Sequence, residues 1–402
     1  MLGDRLYYHD AYSTQFTAQI VEKTEFDGQP AVVLNATLFY PTSGGQPHDA
    51  GAIGGRHVVN VVVREQDNAV LHVLDDQLEE TVVSAEIDWP RRFDHMQQHT
   101  GQHILSQAFI QLADASTIGF HLSDATVTID LDTDRVSSDC LDAVEQLANQ
   151  IVWENRPIRA VILPKQEALQ LPLRKVPDVA GVTLRIVEIA DFDWNACGGT
   201  HVKQTGEVGQ IKIIKVETQR GQLRVTFCCG QRALRDYREK NAVLNQLSAE
   251  LTTSYTELPA SIQKMRGELK QALRTVKKQQ SALLQIEAAQ ILTDAETIAG
   301  QKIVTQVFSR RDINEVRILA NTIGRNPQTI VLFAIKGNST TFVFASSKNN
   351  STKMNDLLQT ALATVGGGKG GGSATYAQGE SQESNSAEIH AALAAAQAQI
   401  QL

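Results

Sequence analysis

The sequence predicts an α+β protein of several domains: an N-terminal β-barrel, a mixed α/β unit, a long helical hairpin and a C-terminal α/β domain. Three observations predict it. At 402 residues the chain exceeds what one ordinary core encloses. Its first 88 residues alternate apolar and polar positions in short runs broken by Gly, Asp and Asn. From Gln231 to about Gln290 the apolar side chains instead recur three and four apart.

The boundaries follow these changes of period. Residues 1–88 hold the runs FTAQIVEKTEF, PAVVLNATLFY, HVVNVVVREQ and AVLHVL, whose period of two suits a small antiparallel barrel or sandwich, of which the barrel is the expectation. Trp89-Pro90 ends that unit, because the residue before a proline is pushed toward extended geometry. Residues 89–232 open with a helix over about Arg91–Leu112 and hold another near Asp139–Asn155. The runs ATVTIDL, IRAVILP, TLRIVEI, GQIKIIKVETQ and QLRVTFCCG predict one mixed sheet with those helices on it. Residues 233–296 read as the hairpin, interrupted at Pro259, with a narrow seam through Ile262, Met265, Leu269, Val276, Leu283 and Ile286. The seam suits packing within the hairpin and a homodimer contact equally. Residues 297–402 carry KIVTQVF, TIVLFAI and TTFVFAS, then a glycine-dense loop over 366–372 with Lys369 at its centre.

Composition excludes several classes. With 42% hydrophobic and 20% charged residues the chain reads as globular. It has no run of eighteen apolar residues to span a membrane and no basic-then-apolar leader, so a cytoplasmic location is expected. Four cysteines do not make a disulfide framework; a Cys near histidines is better read as a metal ligand or active thiol. Adjacent Cys228 and Cys229 end an apolar run and read as core. The net charge of −8 is unevenly spread, since residues 1–88 alone carry −10. Residues 203–240 hold nine basic against four acidic side chains, and 264–278 hold six against one. Such stripes suit a phosphate-backbone partner, and the acidic first domain is expected to face away from it or to shield the site.

Two spaced motifs carry the chemistry. In HMQQHTGQHIL, His95, His99 and His103 recur at intervals of four; in ACGGTHV, Cys197 precedes His201 by four. Histidines four apart share one helix face, so two imidazoles reach one metal. Two glycines favour a tight turn that brings a thiolate and an imidazole to one point. Three imidazoles and a thiolate, or a subset, suit tetrahedral zinc, which leaves one histidine too many. No Glu follows the pattern H-E-x-x-H and no G-x-S-x-G elbow occurs, so a metallopeptidase and a serine hydrolase both rank low.

These motifs resemble those of alanyl-tRNA synthetase editing domains and of the alanyl-tRNA editing (AlaX) family in its long form. HTGQHIL is similar to their H-T-x-x-H-L, CGGTHV matches their cysteine motif, and FYPTSGGQPHDAG (residues 39–51) looks like their F-Y-x-x-S-G-G-Q-x-x-D-x-G segment. GGGKGGGSATYAQG resembles the DHHA1 domain that ends alanyl-tRNA synthetases. The resemblance implies an α/β editing domain at 89–232, a DHHA1-like domain at 297–402, and zinc on His99, His103, Cys197 and His201, with His95 outside. As the editing region begins almost at Met1, without an aminoacylation domain ahead of it, a freestanding editor is expected rather than a synthetase.

Its implied activity is hydrolysis of Ser-tRNA(Ala), and also of Gly-tRNA(Ala), by water; its partner is tRNA(Ala) carrying the wrong amino acid. Thr117, His121 and Gln46 are the expected catalytic contacts. Thr100, Gly44 and Gly45 are the expected substrate contacts, and Lys369 is suited to phosphate. The competing expectation is a tRNA-binding protein with a closed, structural zinc.

Overall fold

The computed structural model describes residues 4–175, 181–298, 300–348 and 350–401. It divides into two compact units, Met1–Glu250 and Leu251–Leu402. The first unit begins with β1 (Asp4–Arg5), β2 (Gln15–Phe26), β3 (Gln29–Leu34), β4 (Ala36–Thr37), β5 (Gly51–Ile53), β6 (Arg56–Val63), β7 (Val70–Leu74) and β8 (Val82–Ile87). Strands β2-β3-β7-β6-β5-β8 close on themselves in that order, while β1 and β4 pair in parallel beside them. Alternation does the sorting: Val83, Ala85 and Ile87 turn inward onto Ala18, Ile53 and Val61, and the residues between them stay in solvent.

Helix α1 (Trp89–Ala113) starts on an Asp88 cap, whose side chain accepts from the Arg91 N–H, with a proline in the first turn. Most of α1 is buried although its sequence is polar. Its glutamines act as core residues because their amides meet backbone groups: Gln97 donates to the Glu207 carbonyl, and Gln98 both donates to and accepts from Cys229. Arg92, fully buried, pins α1 to the barrel, donating to both oxygens of Asp49 and to the carbonyls of Ala11 and Leu38.

Then follow β9 (Thr117–Leu122), β10 (Val127–Leu131), α2 (Ser138–Trp153), β11 (Ile158–Pro164), α3 (Lys165–Ala168), β12 (Thr183–Ile189), β13 (Asp193–Ala196), β14 (Ile211–Gln219), β15 (Gln222–Cys229) and α4 (Gly230–Leu251). In place of the single mixed sheet expected from the sequence there are two antiparallel ones, β14-β15-β10-β9 and β11-β12-β13. Strand β10 is flanked on both sides, by β15 and β9, and β11 pairs with β12 in a separate sheet. Cys228 and Cys229 end β15 as buried core residues.

The second unit comprises α5 (Leu258–Thr293), β16 (Glu296–Ile298), β17 (Gln301–Ser309), α6 (Ile313–Gly324), β18 (Thr329–Lys336), β19 (Thr340–Ser346), α7 (Met354–Thr364), β20 (Lys369–Gly372), β21 (Tyr376–Ser381) and α8 (Ser386–Ala398). Its sheet runs β16-β17-β18-β19-β21-β20. Successive residues of β18 and β19 face opposite cores: Leu332 and Phe344 meet α7 and α8, whereas Phe333 and Val343 meet α6 and the end of α5. The glycine-dense segment is not wholly a loop. Lys369–Gly372 is an edge strand on β21, and a Cβ at Gly370 would stand 2.5 Å from the Gly379 Cα, so glycine is what lets the strands approach. The seam residues Ile262, Met265, Leu269, Val276, Leu283 and Ile286 are exposed. No helix among the described residues is long and apolar enough to cross a membrane.

Candidate metal centre

Helix α1 places His99 and His103 one turn apart on one buried face, with ring centroids 5.3 Å apart. The turn after β13 returns Cys197 and His201 to the same point, and the His201 ring lies 4.5 Å from His99 and 4.6 Å from His103. One donor atom from each of the four residues lies within 4.8 Å of the others. The Cys197 Sγ is 3.4 Å from His99 Nε2 and 3.3 Å from His201 Nε2.

A second layer fixes which nitrogen faces inward. Gln46 Oε1 accepts from His99 Nδ1 at 2.8 Å, and Thr100 Oγ1 meets His201 Nδ1 at 3.1 Å. Asp193 Oδ2 stands 3.4 Å from His103 Nδ1. His99 and His201 thus engage Nδ1 outward and turn Nε2 to the Cys197 sulfur, the arrangement that metal-bound histidines adopt, while His103 Nδ1 faces the Asp193 carboxylate without a hydrogen bond and its Nε2 lies 3.5 Å from Asn195 Nδ2. The donor set suits zinc in kind and number.

Electrostatics point the same way. Burial opposes ionisation of the Cys197 thiol, yet the neighbouring His99 and His201, with hydrogen bonds from His103 and His201, hold it well below its ordinary range. His201 is pushed well down by burial. Burial also works against a proton on His103, but Asp193 and Cys197 outweigh it and raise that group. Arg185 braces the turn, donating from Nη1 to the carbonyls of Cys197 at 2.8 Å and Gly199 at 2.9 Å.

Beside the cluster opens a cavity of about 470 Å³, lined among others by Gly44, Gln102, Thr117, Phe120 and Asn195. Thr117 Oγ1 and Ser106 Oγ are 2.6 Å apart, and Gln102 Nε2 donates to Ser106 at 2.7 Å. Phe120 stacks on His99 at 5.2 Å. Gly44 and Gly45 make the Ser43–Gln46 turn with positive φ, and a Cβ on Gly45 would stand 2.7 Å from the Phe120 carbonyl oxygen. The acidic barrel therefore contributes residues to the surroundings of the site.

Several sequence-predicted contacts sit elsewhere. His121 is exposed and lines no part of the cavity, because strand alternation turns Phe120 and Leu122 inward and His121 out. Thr100 is fully buried behind His201, one position round the helix from His99, and Gln46 likewise sits behind His99. Gly45 approaches β9 without lining the cavity. Lys369 belongs to the second unit, exposed on its edge strand. His95 lies outside the cluster, buried with neither ring nitrogen hydrogen-bonded, its Nε2 3.6 Å from Asp124. Sequence reasoning missed Asp193 and Asn195; the one available signal was Asp193 standing four residues before Cys197.

Residues 184–226 match the threonyl and alanyl tRNA synthetase second additional domain, and 299–402 match the DHHA1 domain. An alanine–tRNA ligase of Pyrococcus furiosus is 30% identical over 93% of this chain and 41% of its own length, and one of Archaeoglobus fulgidus is 31% identical over 94% and 42%. The chain thus spans about two fifths of the ligases it matches. The alanyl-tRNA editing protein AlaX-L of Pyrococcus horikoshii is 30% identical over 94% of both chains. With that relative matched over nearly all of its length, and with the histidine and cysteine motifs meeting at one point, this chain belongs to the alanyl-tRNA editing protein family of the AlaX-L type.

Proposed function

We propose that this protein hydrolyses the ester of serine wrongly attached to tRNA(Ala), with Gly-tRNA(Ala) as a second substrate, and that zinc occupies the cluster of His99, His103, Cys197 and His201. The observation that carries the reading is the opening of a cavity, large enough for an aminoacylated ribose, directly beside that cluster. AlaX-L, matched over 94% of its length, is named for alanyl-tRNA editing. Bound there, zinc would supply a fixed positive charge to orient the end of the substrate. Four protein donors leave no open position for making hydroxide, unless the coordination expands.

The rest of the chemistry belongs to the chain. An aminoacyl ester is labile, so holding it and a water together supplies much of the rate. Thr117, its hydroxyl held by Ser106, offers a polar partner for the serine side chain. A pocket with such a partner discriminates where size alone gives only about 100-fold. Gly44 and Gly198 leave room beside the cluster for the ribose. The basic stretches of α4 and α5, and Lys369, fit the tRNA backbone; the exposed seam of α5 fits a second copy; and the cytoplasm is the matching compartment. The division at residues 88, 232 and 296 is the domain scheme that goes with this reading.

The test is deacylation of Ser-tRNA(Ala) beside Ala-tRNA(Ala) by wild type and Cys197→Ala. Loss of serine alone, abolished by the substitution, is the expected result. A second reading, a tRNA-binding protein with structural zinc, is favoured by the fully supplied donor set. It prevails if both esters survive a wild-type protein that contains zinc and binds tRNA.

A further inference from the structure

A second concavity of about 470 Å³ lies in the same unit, between the first turns of α1, the turn that joins β9 to β10, and α4. Asp94, Asp124, Arg232, Arg235 and Arg238 line it. The three arginines recur every third residue, so α4 presents them along one face.

The two carboxylates do not cancel that charge. Asp94 is occupied by Arg232, whose Nη2 donates to it at 2.6 Å, and Arg232 is further held through Nη1 on the Ser123 carbonyl. Asp124 is taken by Arg91, 2.6 Å away. His95, behind Asp124, is driven down to about 4 by burial and by Arg91, so it is neutral at pH 7 and adds no charge. Arg235 and Arg238 are exposed and have no partner among the described residues. The groove is therefore built with two surplus guanidiniums on a scaffold already fixed by ion pairs. A guanidinium fork fits a phosphodiester in two hydrogen bonds.

Position names the occupant. Phe120 lines the cavity beside the metal cluster and Asp124 lines the groove. Three residues lie between them, a path of at most about 14 Å of chain, which is the reach of a few nucleotides. We propose that this groove grips the RNA backbone just before the aminoacylated 3′ end, with Arg235 and Arg238 each engaging one phosphate. The inference rests on the tRNA reading above and adds the surface on which the acceptor end is held.

The experiment measures binding of uncharged tRNA(Ala) to the full-length protein against salt, for wild type, Arg235→Gln/Arg238→Gln and Arg235→Lys/Arg238→Lys, with backbone footprinting of the same RNA. Two lost phosphate contacts reduce the slope of log K against log salt by roughly 1.5 and weaken binding about 10-fold or more near physiological salt. The glutamine variant is expected to show that change and to lose protection of the last few nucleotides, while the lysine variant keeps most of both. Unchanged slope and affinity, or protection that persists in the glutamine variant, overturns the groove. So does a wild-type protein that does not bind tRNA. Because this readout needs no turnover, a wild type that binds tRNA through the groove yet spares Ser-tRNA(Ala) fails the editing reading and keeps the groove.

Discussion

Asp193 Oδ2 faces His103 Nδ1 at 3.4 Å, and both side chains are about 1% exposed. Arg174 Nε backs the same carboxylate at 3.6 Å and its Nη1 donates to the His103 carbonyl, so helix, strand and loop meet on one acid. Removing that charge should cost roughly 10- to 100-fold in metal affinity. Asp193→Asn, titrated with zinc against a chromogenic chelator, should show this loss while its far-ultraviolet circular dichroism matches wild type. Equal affinity would mean that the carboxylate does nothing for the ring.

The two glycines between Cys197 and His201 are not equivalent. A Cβ at Gly199 would stand 2.2 Å from His99 Cε1 and 2.9 Å from Gln46 Oε1, whereas one at Gly198 would have only the Tyr8 hydroxyl, at 3.6 Å. Gly199→Ala should displace a ligand and lose bound metal on gel filtration. Gly198→Ala should keep it.

Gln46 crosses from the barrel to the cluster with both ends in use: its Oε1 accepts from His99 Nδ1 and the Thr200 N–H, and its Nε2 donates to Thr200 Oγ1. Gln46→Ala strands these buried groups at about 1–3 kcal/mol. We expect a lower thermal midpoint for both apo and zinc-loaded protein, and weaker zinc binding. Gln46→Glu should recover part of the affinity, since a carboxylate still accepts from His99.

In the barrel, His72 is fully buried between Thr37 Oγ1 at 2.8 Å and the Val32 carbonyl at 3.1 Å, and burial lowers it to about 4. An unfolded chain protonates the same ring near 6.5. Between those values the unfolded state binds more protons, so stability rises with pH across the window. The contribution is complete above 6.5 and is lost as pH falls toward 4, up to about 3 kcal/mol. Urea unfolding of wild type should weaken over this range more than that of His72→Gln. Parallel curves would refute the assignment.

What the sequence disclosed depended on whether a residue's role is local. Period-two runs such as HVVNVVVREQ point to strands because alternation is written in neighbouring residues, and i, i+4 spacing put His99 beside His103 for the same reason. Strands β9 and β13 escaped notice: TIGFHL and DWNA carry no clean alternation, and their partners lie in β10 and β12. Asp193 and Asn195 are in the site because of that pairing register, which no local pattern encodes. The faces of Thr100 and His121 likewise depend on how one helix and one strand are turned, so the sequence named them as contacts and the fold directs them away from the cavity.

The donors of the cluster are far apart in synthesis as well as in sequence, Cys197 following His99 by 98 positions. At about 5–20 residues per second, roughly 5–20 s of translation separate the two. During that interval the nascent chain offers only a two-histidine half-site. Under the zinc reading proposed above, metal capture would be a late event that waits for Cys197 and His201, well past the middle of a first unit that runs to Glu250.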